Sequence, residues 1–356
     1  MAELSFPASP TAGTRYVNSN GRMYTYSGYS WASNGSFINP NPWNNTFLYR
    51  TIYTRGYTHC GYQNSTLWRN TNRTVHVTDT TVNLGDMMDY VANYIDGGFS
   101  DFNSYAFNMS GTMQGSSVVT SSMSMITETL RSRTSTWDLK TSRSNLKTLM
   151  SPGLTAIYIT GGGSATTDKF STITDSMLAA GSVGSSGVVG NPSYISGLTG
   201  FFGQYKGIVA CFGDSSSLDF STETWTTGVL SAFTGNSGQP KGLSSKRGVG
   251  YCSTGGYEGS ATFYKFNDTT GAQISTMARP ENCGEENCQI GQDWGYTLGS
   301  YNGAAQTNNS TKTSYLTDSC VALGSDGQPK GHGGCSSGCC ATGSSTLLGG
   351  VMGTSI

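Results

Sequence analysis

The sequence predicts an all-β chain. A β-propeller of about seven blades, with six the alternative, follows a small β-hairpin module at the N-terminus. Three observations carry this reading. Charged residues make up 12% and apolar residues 35% of the chain, and 49 Gly join abundant Ser, Thr and Asn. That profile suits many short strands joined by turns. Gly-rich or aromatic stations recur along the chain, and several are followed by an aromatic strand and a Thr/Asp turn, a hairpin signal.

The stations are HCGYQN near Tyr62, FNMSG near Gly111, IYITGGG near Gly162, ACFGD near Gly213, CSTGGY near Gly256, TLGSY near Gly299 and CCATG near Gly343. Their spacing of about 45 residues is that of propeller blades. The following hairpins read DKFSTIT from Asp168, LDFSTETWTTG from Leu218 and YKFNDTTG from Tyr264. The stretch GQPKG occurs at Gly238–Gly242 and at Gly327–Gly331, two such units apart, and reads as turn punctuation through Pro and Gly. A lone four-stranded unit cannot bury its faces, whereas radial packing covers them. The last unit is incomplete after Gly343, so the ring is expected to be closed by a strand from the other end, around Phe37–Tyr53. Asn83–Ile95 spaces its apolar residues near helical periodicity and predicts a short helix or long loop, while Ser121–Ser132 alternates like a strand.

Residues 1–33 form a separate module, and the propeller is expected to span 34–356. An extended lead-in carries Phe6, Pro7, Pro10 and Gly13. A hairpin then runs from Tyr16 through the Asn20–Gly21 turn to Tyr24 and Tyr26, and Trp31 closes the unit. So small a unit is marginal alone and is expected to dock onto something else.

The patterns F-P-x-x-P-x-x-G-x-x-Y and N-G-x-x-Y-x-Y-x-G-x-x-W resemble a short module at the start of many tailed-phage virion proteins. The later pattern SSKRGVGYCSTGGYEG…YKFNDTTG…ARPENCGEENCQIGQDWGYTLGSYNG resembles kelch-like repeats in structural proteins of cyanobacterial myoviruses. The resemblance implies a kelch-like propeller in a virion surface protein: a tail fibre or appendage, or a capsid decoration protein. It implies attachment to capsid, neck or tail proteins through Phe6, Pro7, Pro10, Gly13, Tyr16, Asn20, Gly21, Tyr24, Tyr26 and Trp31. It also implies no catalytic residues; no cofactor is expected, and host-surface glycan is a further expected ligand for loops on one propeller face. Fibres are often trimeric, so a homo-oligomer is an expected partner, although no heptad run drives one.

Charge and hydropathy agree with that setting. The net charge of −1 points to no nucleic-acid partner, and no apolar run predicts membrane insertion. The start MAELSFPASP has neither a basic nor an apolar signal region, so assembly in a host cytoplasm is expected.

Candidate chemistry is sparse. His332, Cys335, Cys339 and Cys340 in GHGGCSSGCC carry zinc-binding side chains, but their spacing fits no standard finger. A Gly-rich loop with small Cys side chains, or a disulfide to Cys320, is the simpler reading. Cys283 and Cys288 in CGEENC are disulfide candidates. Asp214 with Asp219, and Glu285, Glu286 with Asp293, could supply the paired carboxylates of a polysaccharide depolymerase. Solvated turn residues are the simpler reading. His59 and His76 stand beside no nucleophile motif, and Gly161–Gly163 is a turn, not a phosphate loop. Trp68, Trp137, Trp225 and Trp294 could stack on sugars, with Trp225 and Trp294 expected to be structural.

Overall fold

The computed structural model describes residues 9, 15–17, 22–26, 31–37, 55–63, 66–76, 78–87, 98–100, 105–109, 119–125, 127–140, 146–151, 156–161, 166–178, 183, 199–203, 205–211, 214–230, 242–245, 248–253, 260–283, 287–290, 293–301, 306–307, 309–328 and 339–342. Arg15–Val17 (β1), Arg22–Tyr26 (β2) and Trp31–Phe37 (β3) form an antiparallel three-stranded sheet. The predicted hairpin is present, and a third strand extends the module through Phe37.

Six four-stranded antiparallel sheets follow. Blade one holds Arg55–Gln63 (β4), Thr66–Val75 (β5) and Thr80–Asp86 (β6). Blade two holds Gly98–Ser100 (β7), Tyr105–Met109 (β8), Thr120–Ser124 (β9) and Thr129–Leu130 (β10). Blade three holds Leu146–Met150 (β11), Ala156–Gly161 (β12), Asp168–Ser171 (β13) and Ser176–Met177 (β14). Blade four holds Thr199–Phe202 (β15), Lys206–Cys211 (β16), Asp214–Asp219 (β17) and Thr224–Thr227 (β18). Blade five holds Gly242–Ser244 (β19), Val249–Ser253 (β20), Ser260–Asn267 (β21) and Gln273–Cys283 (β22). Blade six holds Asn287–Ile290 (β23), Trp294–Leu298 (β24), Thr311–Ser314 (β27) and Ser319–Ala322 (β28), with a small hairpin of Ser300–Tyr301 (β25) and Gln306–Thr307 (β26) inserted. The first strand of each blade touches that of the next, so the ring is a six-bladed propeller.

Closure differs from the expectation. Cys339–Thr342 (β29) pairs with β4, Ala341 opposite Tyr57, and completes blade one from the C-terminal side. The inner edge of β4 is thereby taken by β29 and not by Phe37–Tyr53. Phe37 itself ends β3, and residues 38–54 lie outside the described residues. CCATG therefore marks the closing strand of blade one and not a seventh blade. Of Asn83–Ile95, expected as a short helix or long loop, Asn83–Asp86 lies in strand β6, because Thr80–Asn83 pairs with Asn72–Val75, and residues 88–95 lie outside the described residues. The strand reading of Ser121–Ser132 holds, as β9, a turn and β10.

One transverse row explains how the blades pack. In blade three, Leu149 lies opposite Tyr158 and Tyr158 opposite Lys169. The same row reads Leu243–Tyr251–Lys265 in blade five and Gln289–Tyr296–Lys312 in blade six. Each row is turned to the following blade. There the inner residue fills the space left by a glycine: a Cβ on Gly207 would lie 2.6 Å from Leu149, and one on Gly295 2.7 Å from Leu243. The tyrosine hydroxyl and the cation meet a carboxylate from the following blade's outer turn. Tyr158 donates to Glu223 at 2.9 Å and Lys169 pairs with the same group. Tyr251 and Lys265 bind Asp318 at 2.7 Å, Tyr296 and Lys312 bind Asp79, and Tyr57 and Arg73 bind Glu128.

The acid sits where it does because the turn repeats. A Ser, Asp or Asn ends the third strand and accepts the N–H of a Thr three residues on: Ser124 from Thr127, Ser171 from Thr174, Asp219 from Thr222, Asn267 from Thr270 and Ser314 from Thr317. The next residue takes positive φ, from 50 to 55° at Asp79, Glu128, Asp175, Glu223 and Asp318. In blade five it is Gly271, φ 72°, where a Cβ would lie 2.0 Å from the Val229 carbonyl oxygen. There the facing row of blade four is Phe201–Ile208–Ser217, with no cation to pair an acid. In blade two Phe107 and Ser122 replace the Tyr and Lys. Arg131, one strand further out, bonds Asp175 at 2.6 Å and lies 3.6 Å from the Tyr105 ring centre.

Two outcomes are expected. Gly207→Ala overpacks against Leu149 and costs about 1–3 kcal/mol. Adding Leu149→Ala relieves the clash, so the double variant loses less in chemical denaturation than the two single losses together. Burial alone raises the Asp318 carboxyl, but hydrogen bonds from Lys265 and Tyr251 and the Lys265 charge outweigh it and hold it below its ordinary value. A depressed folded-state pKa adds stability above the unfolded carboxylate range of about 4, and that stability is lost as pH falls through the lower folded value. Asp318→Asn is expected to lower the urea midpoint at neutral pH and to flatten its acid limb.

Candidate functional site

Strand direction gives the ring two unlike ends. One end carries the links between first and second strands and the repeated outer turns. These are short: 101–104, 151–155, 203–205, 245–248 and 291–293 for the links, and 76–79, 125–128, 172–175, 220–223, 268–272 and 315–318 for the turns. The other end receives the second-to-third-strand loops, such as 110–119, 162–167, 254–259 and 299–310. It also receives the crossovers between blades, such as 87–97, 131–145, 178–198, 228–241 and 323–338. The first six Gly-rich stations lie at or near this loop end, and the GQPKG stretches lie in the crossovers that enter blades five and one.

The crossovers are pinned by buried side chains. Trp137, in a short 3-10 turn at Ser135–Trp137, is 2% exposed and meets Phe107 edge-on at 5.8 Å. Leu230 and Leu323 are buried likewise. Gly327, the first residue of the second GQPKG stretch, accepts a hydrogen bond from the Thr81 hydroxyl at 2.9 Å. Trp225 packs on the main core and Trp294 on a smaller cluster beneath Lys312, in line with their structural reading.

The predicted attachment residues divide. The register places Tyr16 opposite Tyr24 and Tyr26 opposite Trp31. Phe6, Pro7, Pro10, Gly13, Asn20 and Gly21 lie outside the described residues. So do His332 and Cys335, whereas Cys339 and Cys340 stand in β29 opposite His59 and Thr58. Cys283 ends β22 and Cys288 lies in β23 of the next blade. Among the described residues no group of three or more His, Cys, Asp or Glu could hold a metal ion.

Asp214 with Asp219 does not make a hydrolytic pair. Asp214 and Asp219 open and close the same strand, about 16 Å apart at ordinary strand rise and beyond the reach of a paired mechanism. Asp219 accepts hydrogen bonds from the Ser221 hydroxyl and from the N–H groups of Ser221 and Thr222, and these lower its pKa. Glu285 and Glu286 lie outside the described residues. Asp268, which the sequence reading did not single out, is 4% exposed, and burial pushes its carboxyl up. It fills space beside Gly203, where a Cβ would lie 2.3 Å from Asp268 Oδ2. Its place directly after the third strand of a blade was the available signal.

The histidines are structural in the same sense. His59 is fully buried, with Nδ1 2.8 Å from the Thr71 hydroxyl. His76 stacks on Tyr296 at 4.4 Å, with Nε2 3.2 Å from Gln289 Oε1. Burial pulls its pKa down to about 4, against the Gln289 hydrogen bond and the Asp79 charge, which raise it. The imidazole is therefore neutral in the fold, while in the unfolded chain it gains a proton below about 6.5. Stability tied to His76 is lost as pH falls from about 6.5 to about 4. His76→Gln is expected to lack that part of the pH dependence when melting temperature is followed across this window.

No helix among the described residues is long and apolar enough to cross a membrane. No family model matches the chain, and no curated protein matches it in sequence.

Proposed function

We propose that this chain is a non-enzymatic surface protein of a tailed-phage particle. Residues 1–33 attach it to a capsid, neck or tail protein, and the loop end of the propeller is displayed outward to host-surface glycan. The observation that carries the reading is the polarity of the ring. Arg55 opens β4 at the turn end of blade one, opposite Val75. The chain thus enters the propeller at its turn end, which supports an anchored turn end and a displayed loop end. The resemblance of residues 6–31 to a phage attachment module supports the anchor. The inter-blade ion pairs suit a rigid display scaffold.

Particles assembled with the chain lacking residues 1–33 test the anchor. The expected result is loss of incorporation, while the purified truncated protein keeps a cooperative melt. Normal incorporation overturns the anchor. Replacing residues 254–259 or 162–165 by Gly-Ser linkers tests the display role. Adsorption to host cells is expected to fall with incorporation unchanged. Unchanged adsorption removes the glycan role and leaves a decoration protein.

A further inference from the structure

The seam between blades three and four contains an unusual set of hydroxyls. Thr160 lies two residues past Tyr158 on β12, so strand alternation puts it on the face turned to blade four. Thr167 precedes Asp168 and shares the face of Lys169. Ser216 lies beside Ser217 on β17 and alternates to the opposite face, turned back to blade three. The rows abut: a Cβ on Gly200 would lie 3.3 Å from Val209, which pairs with Ser216, and 3.6 Å from Lys147, which pairs with Thr160.

All three residues are 0% exposed, and their hydroxyls have no hydrogen-bond partner among the described residues. Such groups are costly to bury unpaired. The seam also carries only small side chains at these positions. At the corresponding three positions each other seam has at least one large residue: His59, Met109, Tyr264, Phe263 or Leu298. Only here are all three small.

We propose that one ordered water molecule is bound between blades three and four by the hydroxyls of Thr160, Thr167 and Ser216. A water with three partners is the usual occupant of a buried polar void. Each hydroxyl can donate or accept, so one water can satisfy all three. The set is neutral, which favours water over a cation: Asp168 is turned to the other face by strand alternation.

A crystal structure of the whole chain, at a resolution that shows ordered solvent, tests this directly. A single peak within hydrogen-bond distance of the three hydroxyl oxygens is expected. A dry seam, or a peak that exchanges with added monovalent salt, overturns the proposal. Thr160→Val supplies an independent readout because it keeps the shape and removes one partner. With water bound, the melting temperature is expected to fall by roughly 2–4 °C. In a dry seam the same change removes an unsatisfied hydroxyl, so an unchanged or raised melting temperature overturns the assignment.

Discussion

The ring depends on a carboxylate held in a left-handed turn at the edge of one blade, which binds a tyrosine and a cation of the blade before it. The elements are interdependent. A buried tyrosine hydroxyl needs an acceptor, and a half-buried Lys needs a counter-charge. Burial first, and then the neighbouring carboxylate, push the Tyr158 and Tyr296 hydroxyls up, so both remain protonated donors. Positive φ is unfavourable for Asp or Glu, yet five turns adopt it. In each, the strained residue supplies the side chain that the neighbouring blade requires. Where that requirement vanishes, at Ile208 and Ser217 of blade four, the facing turn residue is Gly271. Loss on both sides of one seam is what a paired function of these residues demands.

Closure places a different demand on the seam between blades six and one. Its inner position is Gln289 rather than the Leu of blades three and five, and the amide fills the space beside Gly56. Gln289 Nε2 donates to Thr58 at 3.0 Å, and Oε1 faces His76. These contacts join residues more than two hundred positions apart in the chain. An apolar contact tolerates sliding, whereas a buried amide is satisfied in one register only. Directional bonding therefore suits the seam that must align the first blade with the last, beside the closing strand β29.

Much of this was legible in the sequence, and the errors have physical causes. The first six stations mark the ends of the second strands, where a chain leaving the sheet needs Gly to turn. CCATG has the same composition because β29 is also a short strand leaving the sheet, but it is a first strand and belongs to blade one. Composition shows where strands end and not which strand ends. The better period lay in the turns, at TDT, TET, TDS, TET, TTG and TDS around residues 79, 128, 175, 223, 271 and 318. Three of these hairpins were read from sequence, without the role of their acids. That role needs the neighbouring blade, because each acid's partners lie 44 to 71 positions back along the chain, and more than two hundred forward at Asp79. The apolar spacing expected to give a helix or loop from Asn83 gives way to strand at Asn83–Asp86, where pairing with β5 decides the local structure.

The same turns decide where the molecule can carry function. At the turn end, the outer turns of blades two, three, four and six are committed three ways: the cap residue bonds a Thr N–H, the Thr hydroxyl bonds the Thr or Ser two residues on, and the acid bonds another blade. A substitution there is felt in two blades at once. Among the described residues of the loop end no turn repeats in this way, and buried Trp137, Leu230 and Leu323 pin three of the crossovers. The connections at this end differ in length from blade to blade, while the strands they join keep one register. Length and sequence can therefore vary at that end with little cost to the ring. Variation without loss of fold is thus easier at the loop end than at the turn end.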